Sequence, residues 1–264
     1  MAEPPLLLDS ITDADVNSQG RVAVSGSHGG IYAAAVGSKW GLRATLFNDA
    51  GIGLQQAGVG GVLALSDVGM AAAALDCQSC RIGSAEDAMD RGVLSVVNAA
   101  AASLGVSVGM TAAETTALFD HAPQPHGQLP SVPETRTEMS MAGSGTRIWL
   151  LDSASLVQPG DEGEIVITGS HGGLVGGNPA RALKAAARIA VFNDAGVGVD
   201  GVGITRLPAL DLRGVAALTV DRMTARIGDA RSALETGVIS YANAAASNLG
   251  ARPGIALQAW LQEI

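Results

Sequence analysis

The chain repeats itself. Gly-Ser-His-Gly-Gly stands at 26–30 and again at 169–173, Phe-Asn-Asp-Ala-Gly at 47–51 and at 192–196, and Leu-Asp-Ser at 8–10 and at 151–153. Residues 47–105 align without a gap on 192–250, an offset of 145, with 27 of the 59 positions identical. Self-similarity of this kind restricts the fold to architectures in which two like supersecondary units pack together. The expected organisation is a first unit over 1–114, a connector over 115–147 and a second unit over 148–264. The connector holds four of the ten prolines (Pro123, Pro125, Pro130, Pro133) and lacks an apolar period, as a linker would.

Within each unit, apolar strand-like runs alternate with helix-like segments. Strands are expected at Leu6–Asp9, Arg21–Ser25, Ala44–Phe47 and Ala72–Leu75, and at Trp149–Asp152, Glu164–Thr168, Ile189–Phe192 and Ala217–Val220. Helices are expected after the histidine motif, over Ile31–Ser38 and Pro179–Arg188, and again between the third and fourth strands. This alternation predicts two tandem homologous α/β repeats with mainly parallel sheets covered on both faces, related by a pseudo-twofold axis. Ligands of such sheets bind beyond the strand C-termini, here expected near the repeat interface.

Composition narrows the function classes. Apolar residues make up 47% of the chain, enough for a large core, and 16 Lys+Arg against 25 Asp+Glu leave a net charge of −9. Lys39 and Lys184 are the only lysines and no basic run exists, so neither nucleic acid nor a membrane is an expected partner. The start lacks a basic leader and no stretch approaches ~18 apolar residues, so a cytoplasmic protein is expected. Cys77 and Cys80 alone make neither a disulfide scaffold nor a four-ligand zinc site. Abundant Ala and Gly permit close helix packing and leave a homo-oligomer open.

Two of the four histidines, His28 and His171, occupy the repeated glycine motif, where a strand stops and a helix is about to begin. A histidine there is either a structural turn or a titratable group beside backbone N–H donors. Asn48-Asp49 and Asn193-Asp194 follow the third strands and read either as Asx turns or as carboxylates orienting the imidazoles. Asp76 and Asp221 end the fourth strands, and Arg81 and Arg226 follow at equal spacing, suited to a substrate carboxylate or to fixing the loop. Ser95, Asn98, Ser240 and Asn243 match in the last segment and read chiefly as loop ties.

The catalytic reading makes His28 or His171 a general base, with Asp49, Asp194, Asp76 and Asp221 as orienting or acid groups. Ser27, Gly29, Gly30 and Asn48, and Ser170, Gly172, Gly173 and Asn193, would bind substrate and stabilise an oxyanion. The expected function is hydrolysis of an amide, lactam or lactone in a small polar or anionic metabolite, though the same parts would serve an isomerase or lyase. A non-catalytic small-anion binding module is the alternative. No cofactor and no metal are expected. Gly196-x-Gly198-x-x-Gly201 fits a dinucleotide fingerprint only formally, because Asn-Asp-Ala intervenes after the strand and Pro208 interrupts the helix. A metal, if bound, would use His28 with Asp49 and Asp76, or His171 with Asp194 and Asp221.

Gly-Ser-His-Gly-Gly and Leu-Asp-Cys-Gln-Ser-Cys, with His28 and Cys77 separated by 49 residues, resemble the His-Gly and Asp-Cys blocks of caspase-like cysteine peptidases. The resemblance covers these two motifs and implies Cys77 as nucleophile. The sequence departs from that family in carrying an additional strand between the blocks and Arg222 in place of Cys77 in the second copy.

Overall fold

A computed structural model describes residues 3–140 and 147–264. The first half builds a five-stranded sheet from β1 (Leu6–Leu8), β2 (Val22–His28), β3 (Ala44–Asn48), β4 (Ala71–Leu75) and β5 (Leu94–Val97), in that spatial order. The second half builds a six-stranded sheet from β6 (Arg136–Ser140), β7 (Arg147–Leu151), β8 (Ile165–His171), β9 (Ile189–Asn193), β10 (Ala216–Val220) and β11 (Ile239–Ala242), again in sequence order. β1 to β4 and β7 to β10 run parallel; β5, β6 and β11 run antiparallel to their neighbours. The protein is thus a mixed α/β structure with two mainly parallel sheets.

The helices are α1 (Ile31–Lys39), α2 (Gly60–Ala64), α3 (Ala85–Arg91), α4 (Ala99–Ala102) and α5 (Ala112–Phe119), then α6 (Arg206–Asp211), α7 (Ala230–Thr236), α8 (Ala244–Asn248) and α9 (Leu257–Leu261). Alternate residues of the buried strands serve opposite faces, because side chains along a strand point alternately up and down. Val22, Val24, Leu46 and Leu75 pack with Ala88, Ala101 and Phe119 on one face of the first sheet; Ala23, Phe47, Ala72 and Ala74 pack with Ala34, Val62 and Leu65 on the other. The second sheet is likewise covered on both faces. None of the described helices is long and apolar enough to cross a membrane.

Three expectations change. The segment 179–188 is not an α-helix but a short 3-10 turn over Pro179–Arg181 followed by irregular chain. Gly176 and Gly177 take left-handed φ just before it, and within it the Arg181 and Ala182 carbonyls accept from the Arg206 guanidinium instead of from a following helical turn. Each sheet also gains a strand beyond the four expected, β5 and β11, which pair antiparallel at its end. The connector 115–147 is partly structured: α5 runs into it, and β6 pairs antiparallel with β7, registering Arg136 opposite Leu151. Its stretch 141–146 lies outside the described residues.

The halves meet through their Asn-Asp-Ala-Gly loops. Residues 50–53 all have positive φ (49° to 72°), and so do 195–198 (48° to 78°). In each loop Asn accepts from the amide two residues on, and so does Asp, and these successive Asx turns hold the left-handed backbone. The Arg222 guanidinium donates to the Gly51 carbonyl at 3.0 Å, the Leu54 amide to the Arg222 carbonyl at 2.8 Å, and the Val199 amide to the Cys77 carbonyl at 2.8 Å. Ala50, Ile82, Ala195, Val202 and Ile227 form a small apolar cluster across this boundary.

Candidate functional site

A cavity of about 710 Å³ lies between the halves and is lined by both histidine motifs. β2 and β8 end in His28 and His171, which register opposite Asn48 and Asn193 of the neighbouring strands. Ser27 and Ser170 line it beside them. The first glycine of each motif is there for close approach, not for unusual dihedrals: a Cβ on Gly26 would stand 2.6 Å from the Ser84 amide, and one on Gly169 2.4 Å from that of Asp229. The Arg-Ile-Gly turns therefore dock on the motif, with Gly83 donating to the Gly26 carbonyl and Gly228 to that of Gly169, each at 2.7 Å.

The tautomer of each imidazole follows from one backbone contact. Gly30 donates its amide proton to His28 Nδ1 at 3.1 Å, and Gly173 does the same to His171 Nδ1 at 3.2 Å. A neutral ring whose Nδ1 accepts must carry its proton on Nε2. Both rings are neutral at pH 7. Burial pushes His28 down to about 4, and His171 lies well below its ordinary value through burial and then through the positive charge of Arg206. Among the described residues neither Nε2 has a protein partner. In this tautomer each ring presents an Nε2–H donor.

The expected oxyanion amides are already engaged. Gly29 and Gly172 donate to the Asn48 and Asn193 carbonyls at 3.0 and 2.8 Å, and Gly30 and Gly173 to the imidazoles. What remains at this wall is the opening of α1, whose Ile31, Tyr32 and Ala33 line the cavity. Amides of a first helical turn have no intrahelical acceptor.

The four aspartates expected beside the imidazoles stand elsewhere. Asp49 Oδ1 accepts from the Gly51 and Cys77 amides at 2.8 and 3.0 Å, and its Oδ2 from the Ser95 hydroxyl at 2.8 Å. Asp194 accepts from the Gly196 and Arg222 amides. Asp76 and Asp221 close Asx turns with Gln78 and Met223. None of the four lines the cavity. Asn48 and Asn193 tie their strands to the Cys80 and Ala225 carbonyls, and Asn98 and Asn243 tie neighbouring strands and loops. These side chains act on backbone because an Asx side chain satisfies nearby N–H groups more readily than a distant ring.

Arg81 lies outside the cavity, paired with Asp87 and with Asp200 of the other half. Arg226 lines the cavity but is held by Asp229 at 2.6 Å and by Gln55 at 3.1 Å. Cys77 does not line it, and burial with the charges of Asp49 and Asp76 pushes its thiol up to about 12, the opposite of an activated nucleophile. Asp49, Asp76 and Cys77 place ligand atoms within 4.8 Å of one another, but the Asp49 oxygens already serve three protein donors and no imidazole joins them.

Three lining residues escape a reading of the sequence. Tyr32 lies on α1 and Glu134 in the connector. Burial, with the Glu134 charge beside it, pushes the Tyr32 phenol up to about 12, and burial raises the Glu134 carboxyl against the hydrogen bonds of Tyr32 and Ser153. The third, Arg206, is 5% exposed. Tyr32 and Glu134 belong to no repeated motif, and Arg206 replaces a glycine of the first copy. The polar setting of Pro133-Glu134-Thr135 was the only available signal for the carboxylate. Comparison with protein-family models, curated proteins and solved structures finds no match to this chain.

Proposed function

We propose that the protein is an enzyme that hydrolyses an amide, lactam or lactone bond in a small anionic metabolite held in the cavity between its halves. The observation that carries this reading is that His28 and His171 line one cavity with both Nδ1 atoms capped by backbone. In this scheme the Nε2–H groups bind the carbonyl oxygen and stabilise the oxyanion that forms there. The Glu134 carboxylate takes a proton from the attacking water, its basicity raised by burial, and returns that proton to the leaving nitrogen or oxygen as the C–N or C–O bond breaks. Tyr32 positions Glu134.

We further propose that the halves are a tandem duplication about a pseudo-twofold axis that passes by this cavity. The matched strand order, the matched His–Asn registers and the matched Asx loops support that relation.

Glu134→Gln and the double variant His28→Ala/His171→Ala test the assignment on a panel of cyclic amides and lactones. Each should lose turnover by about 10²-fold or more while unfolding cooperatively. Full activity in the double variant would sink it. Ligand-induced thermal stabilisation without product across the panel would favour a binding module, a reading supported by the neutrality of both imidazoles.

A further inference from the structure

The cavity has one feature that its two histidine motifs do not share. Position 206 aligns on Gly61 at the offset of 145. In the first half a Cβ on Gly61 would stand 2.2 Å from the Gly30 carbonyl oxygen and 2.6 Å from the Ala34 Cβ, because α1 sits directly on that glycine. An arginine has no room beneath such a helix. In the second half Arg206 is present, and the chain between His171 and β9 forms no α-helix. Its guanidinium occupies the space instead, donating from Nε to the Gly173 carbonyl at 2.9 Å and from Nη1 to the carbonyls of Ala182 and Arg181.

All these acceptors are neutral. Among the described residues no carboxylate lies within 4.0 Å of Arg206, its Nη2 has no hydrogen-bond partner, and its guanidinium stands 5.2 Å from the Phe192 ring. A cation 95% removed from water and facing only carbonyl dipoles is incompletely compensated. Arg181 adds a second positive charge close enough to bear on it, and Lys184 reaches the Ser155 carbonyl; both line the same wall. Neither makes a salt bridge among the described residues, whereas Arg226 and Arg81 are neutralised by carboxylates.

We propose that Arg206, with Arg181 beside it, anchors a terminal oxyanion of the ligand, a carboxylate or a phosphate, at the second-half wall of the cavity. The inference rests on reading this cavity as the substrate site. It makes the two walls unequal: α1 and Tyr32 face the reacting end, and the arginines hold the charged end. A planar fork binds two oxygens at once, so a bidentate anion fits this wall better than a hydroxyl or an amide.

Calorimetric titration at low ionic strength with malonate and with inorganic phosphate tests it, using the wild type, Arg181→Ala, Arg206→Lys and the surface control Arg231→Gln. One anion should bind per chain, about tenfold more weakly in Arg181→Ala and Arg206→Lys and unchanged in Arg231→Gln. The anion bound more tightly identifies the group as carboxylate or phosphate. Failure of both anions to bind, or equal binding by all four proteins, overturns the proposal. Exposed Arg181 keeps the test valid where Arg206→Lys does not fold. Anion binding as expected with no amide or lactone turned over leaves the anchor and removes the hydrolase. Turnover with a KM that Arg181→Ala does not change removes the anchor and leaves the hydrolase.

Discussion

His28 Nδ1 accepts the Gly30 amide proton at 3.1 Å, a contact between residues two apart that fixes which end of the ring meets the cavity. Burial, which disfavours the charged form of the ring, depresses its pKa to about 4.

That depression has a sign in stability. Between pH 6.5 and 4 the unfolded chain binds a proton at His28 that the folded chain refuses, so stability falls as pH drops through this window. The loss reaches about 3 kcal/mol for His28; above pH 6.5 both states are neutral and the contribution is flat. Urea midpoints at pH 7 and pH 5 should differ more in the wild type than in His28→Gln, and equal differences would refute the buried neutral ring.

Asp49 should be structural. Asp49→Ala orphans the Gly51 and Cys77 amides and the Ser95 hydroxyl, and should cost about 3 kcal/mol of unfolding free energy. Asp76→Ala removes a single half-exposed Asx bond and should cost under about 1 kcal/mol. Urea unfolding measures both; near-equal losses would contradict the assignment.

Cys77 should be inert. With its thiol pushed up to about 12, alkylation by iodoacetamide at pH 7 should be at least about a hundredfold slower than for a free thiol. Stoichiometric labelling within minutes, followed by mass spectrometry of the peptide, would restore the thiol reading.

Gly61→Ala should destabilise the first half by at least about 2 kcal/mol, because the new Cβ meets the Gly30 carbonyl and α1 has to move. Tyr32 rides on α1, so the shift should also appear as weakened ligand binding in the folded fraction. A thermal melt matching the wild type would show that α1 is not seated as described.

Much of the architecture was legible because it is periodic and local. Apolar runs such as Ala44–Phe47 and Ile189–Phe192 alternate with helical stretches, and the strands end where Gly-Ser-His-Gly-Gly and Asn-Asp-Ala-Gly begin. Repetition of the histidine motif pointed to the cavity that His28 and His171 line. Of the two readings of Asp49 and Asp194, the Asx turn is the one whose contacts the structure displays, and the two-residue spacing to Gly51 and Gly196 was its visible sign.

By itself, then, the sequence determined a mixed α/β chain with mainly parallel strands, the strand ends and the histidine motifs carried there, since alternation and turn chemistry act between near neighbours. Only the tertiary structure decided which polar groups remain free. Asp49 and the glycine amides were consumed by partners, Glu134 arrived from a connector, and Arg206 displaced a helix that the pattern at 179–188 predicted. Whether a donor or a charge is available to a ligand depends on every group the fold brings against it, and those groups are distant in the chain.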